Sequence, residues 1–282
     1  MPLFKRCYKL SVDIGGIRKT YQELSGDDIS LKIDFDVDMS ANGSFSKGNI
    51  TIIGLQQNDI ALISTNRNKD GTLKPSKLSL EVGYPNILGQ ILQGNIIEAE
   101  ANFTAPDQSI RLGVMSAYES GQSQTTANLA KNATFKDVAQ AVASANNLTL
   151  KYDSSIPNKV IGDYSFRGTP FQQVQRLREY MPNDVDIAIK NDTLEVKNKK
   201  APAGAKKIKI DSNSGLIGDP APTLQGCNIR TLLNPALSVN DYVELKSARI
   251  PQLNGLYRIL ELKHRGTNRG DIWESALVTI RA

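Results

Sequence analysis

Histidine, cysteine and tryptophan are scarce in this chain of 282 residues: it has one His, two Cys and one Trp. A single histidine, His264, excludes most His-based metal sites, and no His/Cys cluster stands at ligand spacing. Any Ser-His-Asp or Cys-His triad would rest on that one candidate. The thiols, Cys7 and Cys227, lie near opposite ends and read as reduced and partly buried rather than as a disulfide. No apolar run approaches the ~18–20 residues of a membrane-spanning helix. The opening MPLFKRCYKLSVDIGG has basic residues with no apolar stretch after them, so assembly in a cytoplasm without a secretory signal is expected. Gly15-Gly16 lacks the strand-to-helix context and the Lys-Ser/Thr of a phosphate-binding loop. There is no zinc finger and no RNA-binding aromatic motif.

What is present suits a soluble globular protein of two or three domains of ~100 residues. Net charge is +5 and the basic residues are scattered. Their densest run, Lys197–Lys200 with Lys206, Lys207 and Lys209, flanks Ala201–Ala205 and reads as a solvated linker.

Residues 1–105 have a β pattern. A first strand over Phe4–Ile14 ends in Gly15-Gly16. Ile29–Met39 alternates strictly, with Ile29, Leu31, Ile33, Phe35, Val37 and Met39 on one face and Asp34, Asp36 and Asp38 on the other. The turn Ala41-Asn42-Gly43 follows it. Asn49–Leu55 and Lys77–Tyr84 are further strands, and Ile87–Ala105 gives one or two, broken at Gly94. Gln56–Ile63 fits a short helix and Asn66–Pro75 a polar loop. Five or six strands with long turns predict a barrel or sandwich.

Residues 106–205 change period. Thr134 and Asp137 form a capping-box-like start, and Phe135, Val138, Ala139, Val142 and Ala145 follow at helical spacing until Asn146-Asn147. Strand Leu148–Tyr152 comes next. Thr169-Pro170-Phe171-Gln172 opens a second helix, with Val174, Leu177 and Met181 on its stripe and Pro182 as its stop. A hairpin then joins Val185–Ile189 to Thr193–Val196 through Asn191-Asp192. The two helix-then-strand pieces suggest a weak internal duplication. A capped helix followed by Asn-x-Leu also resembles LysM modules, but core helices explain it better.

Residues 206–282 return to β. Lys207–Ile210, Asp241–Ser247, Gly255–His264 and Ile272–Arg281 read as strands. Before them lie the turn-rich loop Ser214–Pro222, a short polar run and the block Leu232–Leu237. The fold class is therefore mainly β with an α+β insertion, two β domains flanking a small α/β domain.

The candidate chemistry is thin. His264 stands at a strand end with Asp271 across the turn, and reads as a structural histidine, since a His-carboxylate pair needs a nucleophile or metal to act. Asp34, Asp36 and Asp38 share a polar face, where solvent or a subunit contact is the default. Glu98, Glu100 and Asp107 are spread along a β edge, and none sits in an evident apolar pocket that would make it a general acid.

Three regions, in order, resemble the baseplate hub proteins of contractile-tailed bacteriophages and related tail-like particles. They are ISLKIDFDVDM with NITIIGL; Val82-Gly83-Tyr84 leading to Ile91-Leu92-Gln93-Gly94-Asn95-Ile96-Ile97; and SGLIGDPAP, LLNPAL and LNGLYRILELKHRGTNRGDIW. The sequence departs from the family pattern at Asn95 and in the turn after His264. The resemblance implies a non-enzymatic virion protein of the tail baseplate. It implies two tube-like β-barrels per chain in a homotrimeric ring, six barrels around a channel. The implied partners are the central spike, the tail tube protein and the tape-measure protein, with DNA passing without specific binding; no cofactor or metal is implied. The expected contacts are Asp34, Asp36 and Asp38, then Leu216, Ile217 and Pro220 in the loop and Leu232, Leu233, Asn234 and Pro235 in the block. A hub-associated cell-wall hydrolase and a surface-binding module are the alternatives. The first needs an acid or Cys/His pair in a cleft; the second needs clustered aromatics, which at 6% are few.

Overall fold

A computed structural model describes residues 5–25, 31–41, 45–104, 108–116, 124–180, 185–190, 193–198 and 207–282. The first part holds β1 (Cys7–Ile14), β2 (Ile17–Glu23), β3 (Lys32–Ser40), β4 (Lys47–Ile53), α1 (Gln57–Ser64), β5 (Ser76–Tyr84), β6 (Ile87–Asn102) and β7 (Ser109–Met115). The middle holds β8 (Thr125–Thr134), α2 (Phe135–Ala145), β9 (Thr149–Tyr152), β10 (Val160–Gly168), α3 (Pro170–Glu179), β11 (Val185–Lys190) and β12 (Thr193–Asn198). The last part holds β13 (Lys207–Asp211), β14 (Ala221–Pro222), β15 (Gly226–Leu232), β16 (Tyr242–Lys246), β17 (Gly255–Thr267) and β18 (Trp273–Arg281). The expected positions Ile29, Asn42, Gly43, Asp107, Met181, Pro182, Asn191, Asp192 and the linker at 199–206 lie outside the described residues.

The first and last parts share one 13-stranded sheet. Its main path runs β14-β15-β18-β17-β3-β4-β7-β6-β5-β1-β2, with β16 and β13 branching from β17. One apolar core lies behind it, from Leu10 and Val12 through Phe35 and Val37 to Ile259 and Leu277. The seam between the two parts is the antiparallel pair β3–β17, Ser40↔Glu261 to Asp34↔Thr267.

β17 makes that seam by changing partner. Its first residues, Gly255–Arg258, pair with β16 and its last, Glu261–Thr267, with β3. The register against β18 slips between Ile259 and Glu261. A bulge there adds a residue and shifts the inward parity, from Tyr257 and Ile259 to Leu262, His264 and Gly266. β6 is bent in the same way, slipping between Ile96 and Glu98 against β7.

The expectation of a break at Gly94 is corrected: β6 runs unbroken through it. A Cβ at Gly94 would lie 2.4 Å from the Met115 carbonyl oxygen, so the glycine admits a close backbone approach rather than ending the strand. The short polar run of the last part is strand β15, alternating buried Cys227, Ile229 and Thr231 with exposed Asn228 and Arg230. β2, β8 and β10 are strands that the apolar pattern does not announce, and β7, which alternates Ile110, Leu112 and Val114, is a further strand that sequence reasoning did not name. β2 is an exposed edge strand, and β8 offers little beyond Ala and Leu to its core.

The α+β unit has its own core, with Phe135, Val138, Val174, Leu177, Ile187 and Leu194 at its centre. Both helices carry the reciprocal capping box, Thr134 with Asp137 and Thr169 with Gln172. Each follows directly from a strand, and those strands, β8 and β10, pair antiparallel. The observed repeat is therefore strand, helix, strand. β11, β12 and β9 form a second small sheet. The unit docks on the large sheet through an ion pair of Arg258 with Asp186, both largely buried. Lys197–Asp241 at 3.5 Å and a hydrogen bond from Arg178 to the Ala41 carbonyl at 3.3 Å add to it.

Candidate functional site

The outward face of the seam gathers the charged residues. Because β3 and β17 pair in register, Asp38 stands opposite Lys263, Asp36 opposite Arg265 and Asp34 opposite Thr267. Lys263 Nζ lies 2.8 Å from Asp36 and 3.3 Å from Asp38, and Lys32 lies 3.4 Å from Asp34. The Lys263 ammonium is held above its usual pKa, first by its hydrogen bond to Asp36. On the neighbouring strand Glu274 accepts from Arg230 at 2.6 Å and from Arg265. Burial pushes the Glu274 carboxyl up, but the two guanidinium hydrogen bonds outweigh it and hold the carboxyl below its ordinary value. Asn49 and Thr51 of β4 and Arg111 of β7 continue the face around a shallow cleft of about 600 Å³.

The carboxylates of Asp34, Asp36 and Asp38 are each matched to a cation and open to solvent. That arrangement differs from a protonated acid in an apolar pocket, which glycoside hydrolysis needs. A matched lattice of charge suits a wetted surface that other molecules slide along or pack against.

His264 is structural in its geometry. It is fully buried, and Nδ1 lies 2.8 Å from Ser275 Oγ on the strand it opposes. Ser275 Oγ also accepts from the Asn234 N–H at 3.1 Å, which ties the Leu232–Leu237 block to the sheet. Asp271 is in the turn beyond the Gly266↔Trp273 pair, where its carbonyl accepts from Arg6. Among the described residues no group of three His, Cys, Asp or Glu is placed to hold a metal. Both cysteines are buried, and they form no disulfide with each other.

The loop and the block lie on either side of β15. Leu216 bridges Thr231, and Ile217 N–H donates to the Arg230 carbonyl at 2.8 Å, so the loop covers the outer edge of β15. Leu216 and Ile217 are half-buried and Pro220 is buried. Leu232 is half-buried and its N–H donates to the Gly215 carbonyl at 2.8 Å. Leu233 belongs to the core, 2% exposed. Asn234 accepts from the Ala236 N–H at 3.0 Å, and Pro235 packs against β6 at Gly89, where a Cβ would come within 2.8 Å of the ring. The structure thus joins Leu216, Ile217 and Leu232 at one edge. β18 and β17 separate them from the acid row on β3.

Sequence reasoning missed the clamp at the β17–β18 turn. Gly266 stands between Phe35 on β3 and Trp273 on β18, whose rings meet edge to face at 5.2 Å. Arg6 lies over Trp273 and donates to the turn carbonyls of Thr267 and Gly270. Asn268 extends the seam by side chain, accepting from Ile33 N–H and donating to the Leu31 carbonyl, each at 2.8 Å. The lone tryptophan was the available signal.

No curated protein sequence matches the chain. Solved structures share its fold over nearly the whole length. The 43 kDa tail protein of prophage MuSo2 from Shewanella oneidensis is 10% identical with a TM-score of 0.63, over 97% of this chain and 98% of that one. A tail protein from Neisseria meningitidis MC58 is 10% identical with a TM-score of 0.64, over 98% and 96%. The E. coli c3393 protein, a type VI secretion component with structural similarity to the T4 tail proteins gp27 and gp5, is 9% identical with a TM-score of 0.60, over 90% and 74%. The family described as baseplate hub gp41 matches residues 16–276, most of the chain. The chain with its charged sheet face and bulged, partner-switching strand belongs to the baseplate hub gp41 family of phage tail structural proteins.

Proposed function

We propose that this hub protein works as a homotrimeric ring joining the tail tube to the central spike. The observation that carries the reading is the β3–β17 seam, which sets two β units of one chain edge to edge in a single sheet. On this reading residues 1–105 and 206–282 are the two tube-like units and residues 106–205 an insertion. Three chains then present six units, which reconciles a three-fold spike with a six-fold tube by a heterologous, closing interface.

The self-paired face of Asp34, Asp36, Asp38, Lys263 and Arg265 lines the channel or meets a neighbour. Its matched charges let DNA and the tape-measure protein pass without specific binding. Leu216, Ile217, Leu232, Asn234 and Pro235 offer the contact edge, while Pro220 and Leu233 shape it from beneath. Assembly takes place in the host cytoplasm before incorporation into the virion.

Electron microscopy of the purified protein tests this. The expected result is a three-fold ring with a pseudo-six-fold channel. A protein that stays a single chain in native mass spectrometry, even with its spike partner, would overturn the reading.

A further inference from the structure

The α+β unit and the large sheet keep separate cores. The two apolar clusters have no residue in common, and among the described residues no hydrophobic side chain of the unit packs on the sheet's cluster. In the other direction Phe45, just ahead of β4, is the one hydrophobic side chain from outside the unit, among the described residues, that packs on the unit's cluster. The joint around it is polar. Arg258 pairs with Asp186, Lys197 lies 3.5 Å from Asp241, and Arg178 donates to the Ala41 carbonyl at 3.3 Å. Two bodies of one chain joined by a small polar contact move relative to each other, because such a contact exchanges readily with water.

Each of these cations also holds a partner on its own side of the joint. Lys197 lies 3.1 Å from Glu195 within β12. Arg178 donates to the Ile187 carbonyl of the unit at 2.6 Å. Arg258 donates to Asn240 on the sheet side at 3.1 Å. Opening the joint therefore strands none of the cations, and Asp186 passes from a largely buried place into water. The Phe45 contact is apolar and carries no direction, so it tolerates turning where an ion pair does not. Such a joint has two discrete arrangements, docked and swung.

We infer that the α+β unit is a rigid body that swings on the sheet about Phe45, and that the Arg258–Asp186 pair is the latch that holds it docked. The wild-type chain is docked, and removing the latch populates the swung arrangement. The swing belongs to a single chain and holds whether or not three chains form a ring.

Distances between spin labels on the full chain test it. Labels at Gln140→Cys in α2 and Lys77→Cys in β5 span the joint; both positions are exposed, and the buried Cys7 and Cys227 stay unlabelled. The labelled chain is diluted into unlabelled protein, so that only distances within one chain are read. A second pair, Gln140→Cys with Lys159→Cys, lies inside the unit. One narrow distance across the joint is expected with the latch intact, and a second or broadened distance in Arg258→Met. Adding Asp186→Leu should restore the single distance, since an apolar pair closes the joint again. Lys197→Met, which leaves the latch in place, should broaden it less. The pair inside the unit should stay narrow throughout. A spanning distance that is single and unshifted in Arg258→Met, or a broadening shared by the pair inside the unit, overturns the inference.

Discussion

The β3–β17 seam and the helix contact of the α+β unit hold together by opposite means. At the seam, the backbone groups are paired by the ladder itself, so the inward side chains are free to be apolar and the charges stay outside in matched pairs. At the helix contact, Asn146 donates to the Val142 carbonyl at 2.7 Å and to Gln173 at 3.0 Å. Gln173 donates to the carbonyls of Thr125 at 2.8 Å and Gly168 at 3.1 Å. Val142 stands in the last turn of α2, and Thr125 and Gly168 at strand ends, where carbonyls lack regular backbone partners, so polar side chains are drawn into the core to satisfy them. The contrast teaches that burial of polar groups here follows the backbone's needs rather than any catalytic requirement.

The strongest way to break the comparison is at the joint between the two regions. Arg258→Met leaves Asp186 in a largely buried place without its guanidinium, and we expect a loss of about 3–5 kcal/mol in denaturant unfolding. Adding Asp186→Leu should recover most of it; no recovery would mean that Arg258 acts through something other than this pair.

Next in size is Gly266→Val. A Cβ there would lie 2.5 Å from the Trp273 ring and 2.9 Å from the Phe35 ring, both of which are buried. We expect about 3 kcal/mol of destabilisation. Hydrogen exchange should rise first in β3 and β17 and leave α2 and α3 protected.

Gln173→Leu should do the reverse at about 2 kcal/mol, because it orphans the carbonyls that Gln173 serves. Exchange should rise in α2 and α3 and spare the seam. Uniform loss of protection in both variants would show that the two regions unfold as one.

The smallest effect is a pH dependence. Glu274 titrates below its ordinary value of 4.5. The stability it contributes is fully present above 4.5 and is lost as pH falls through the lowered folded value. Below that point wild type and Glu274→Gln should converge in melting temperature, and a constant gap across the acid range would contradict the assignment.

The legible parts of the fold are those where pattern and burial coincide. Strict alternation marked β3, and capping chemistry marked both helices. β2 escaped because an edge strand buries too little to need apolar residues, and β8 because Ala and Asn serve its shallow core. The candidate residues Asp34, Asp36 and Asp38 were readable as an outward row, but the cation of Asp36 and Asp38 was not, since Lys263 arrives from a strand more than two hundred positions away.

The sequence by itself determined which face of each long strand is wet, where each helix begins and that the chain resembles tail hubs, because period and capping are local properties. Only the tertiary structure decided that β17 leaves β16 for β3 at a bulge, that Gly266 lies between two aromatic rings, and that the last part completes the first part's sheet. Those outcomes depend on pairing between distant segments, and the side-chain alternation of a strand is the same whichever neighbour it takes.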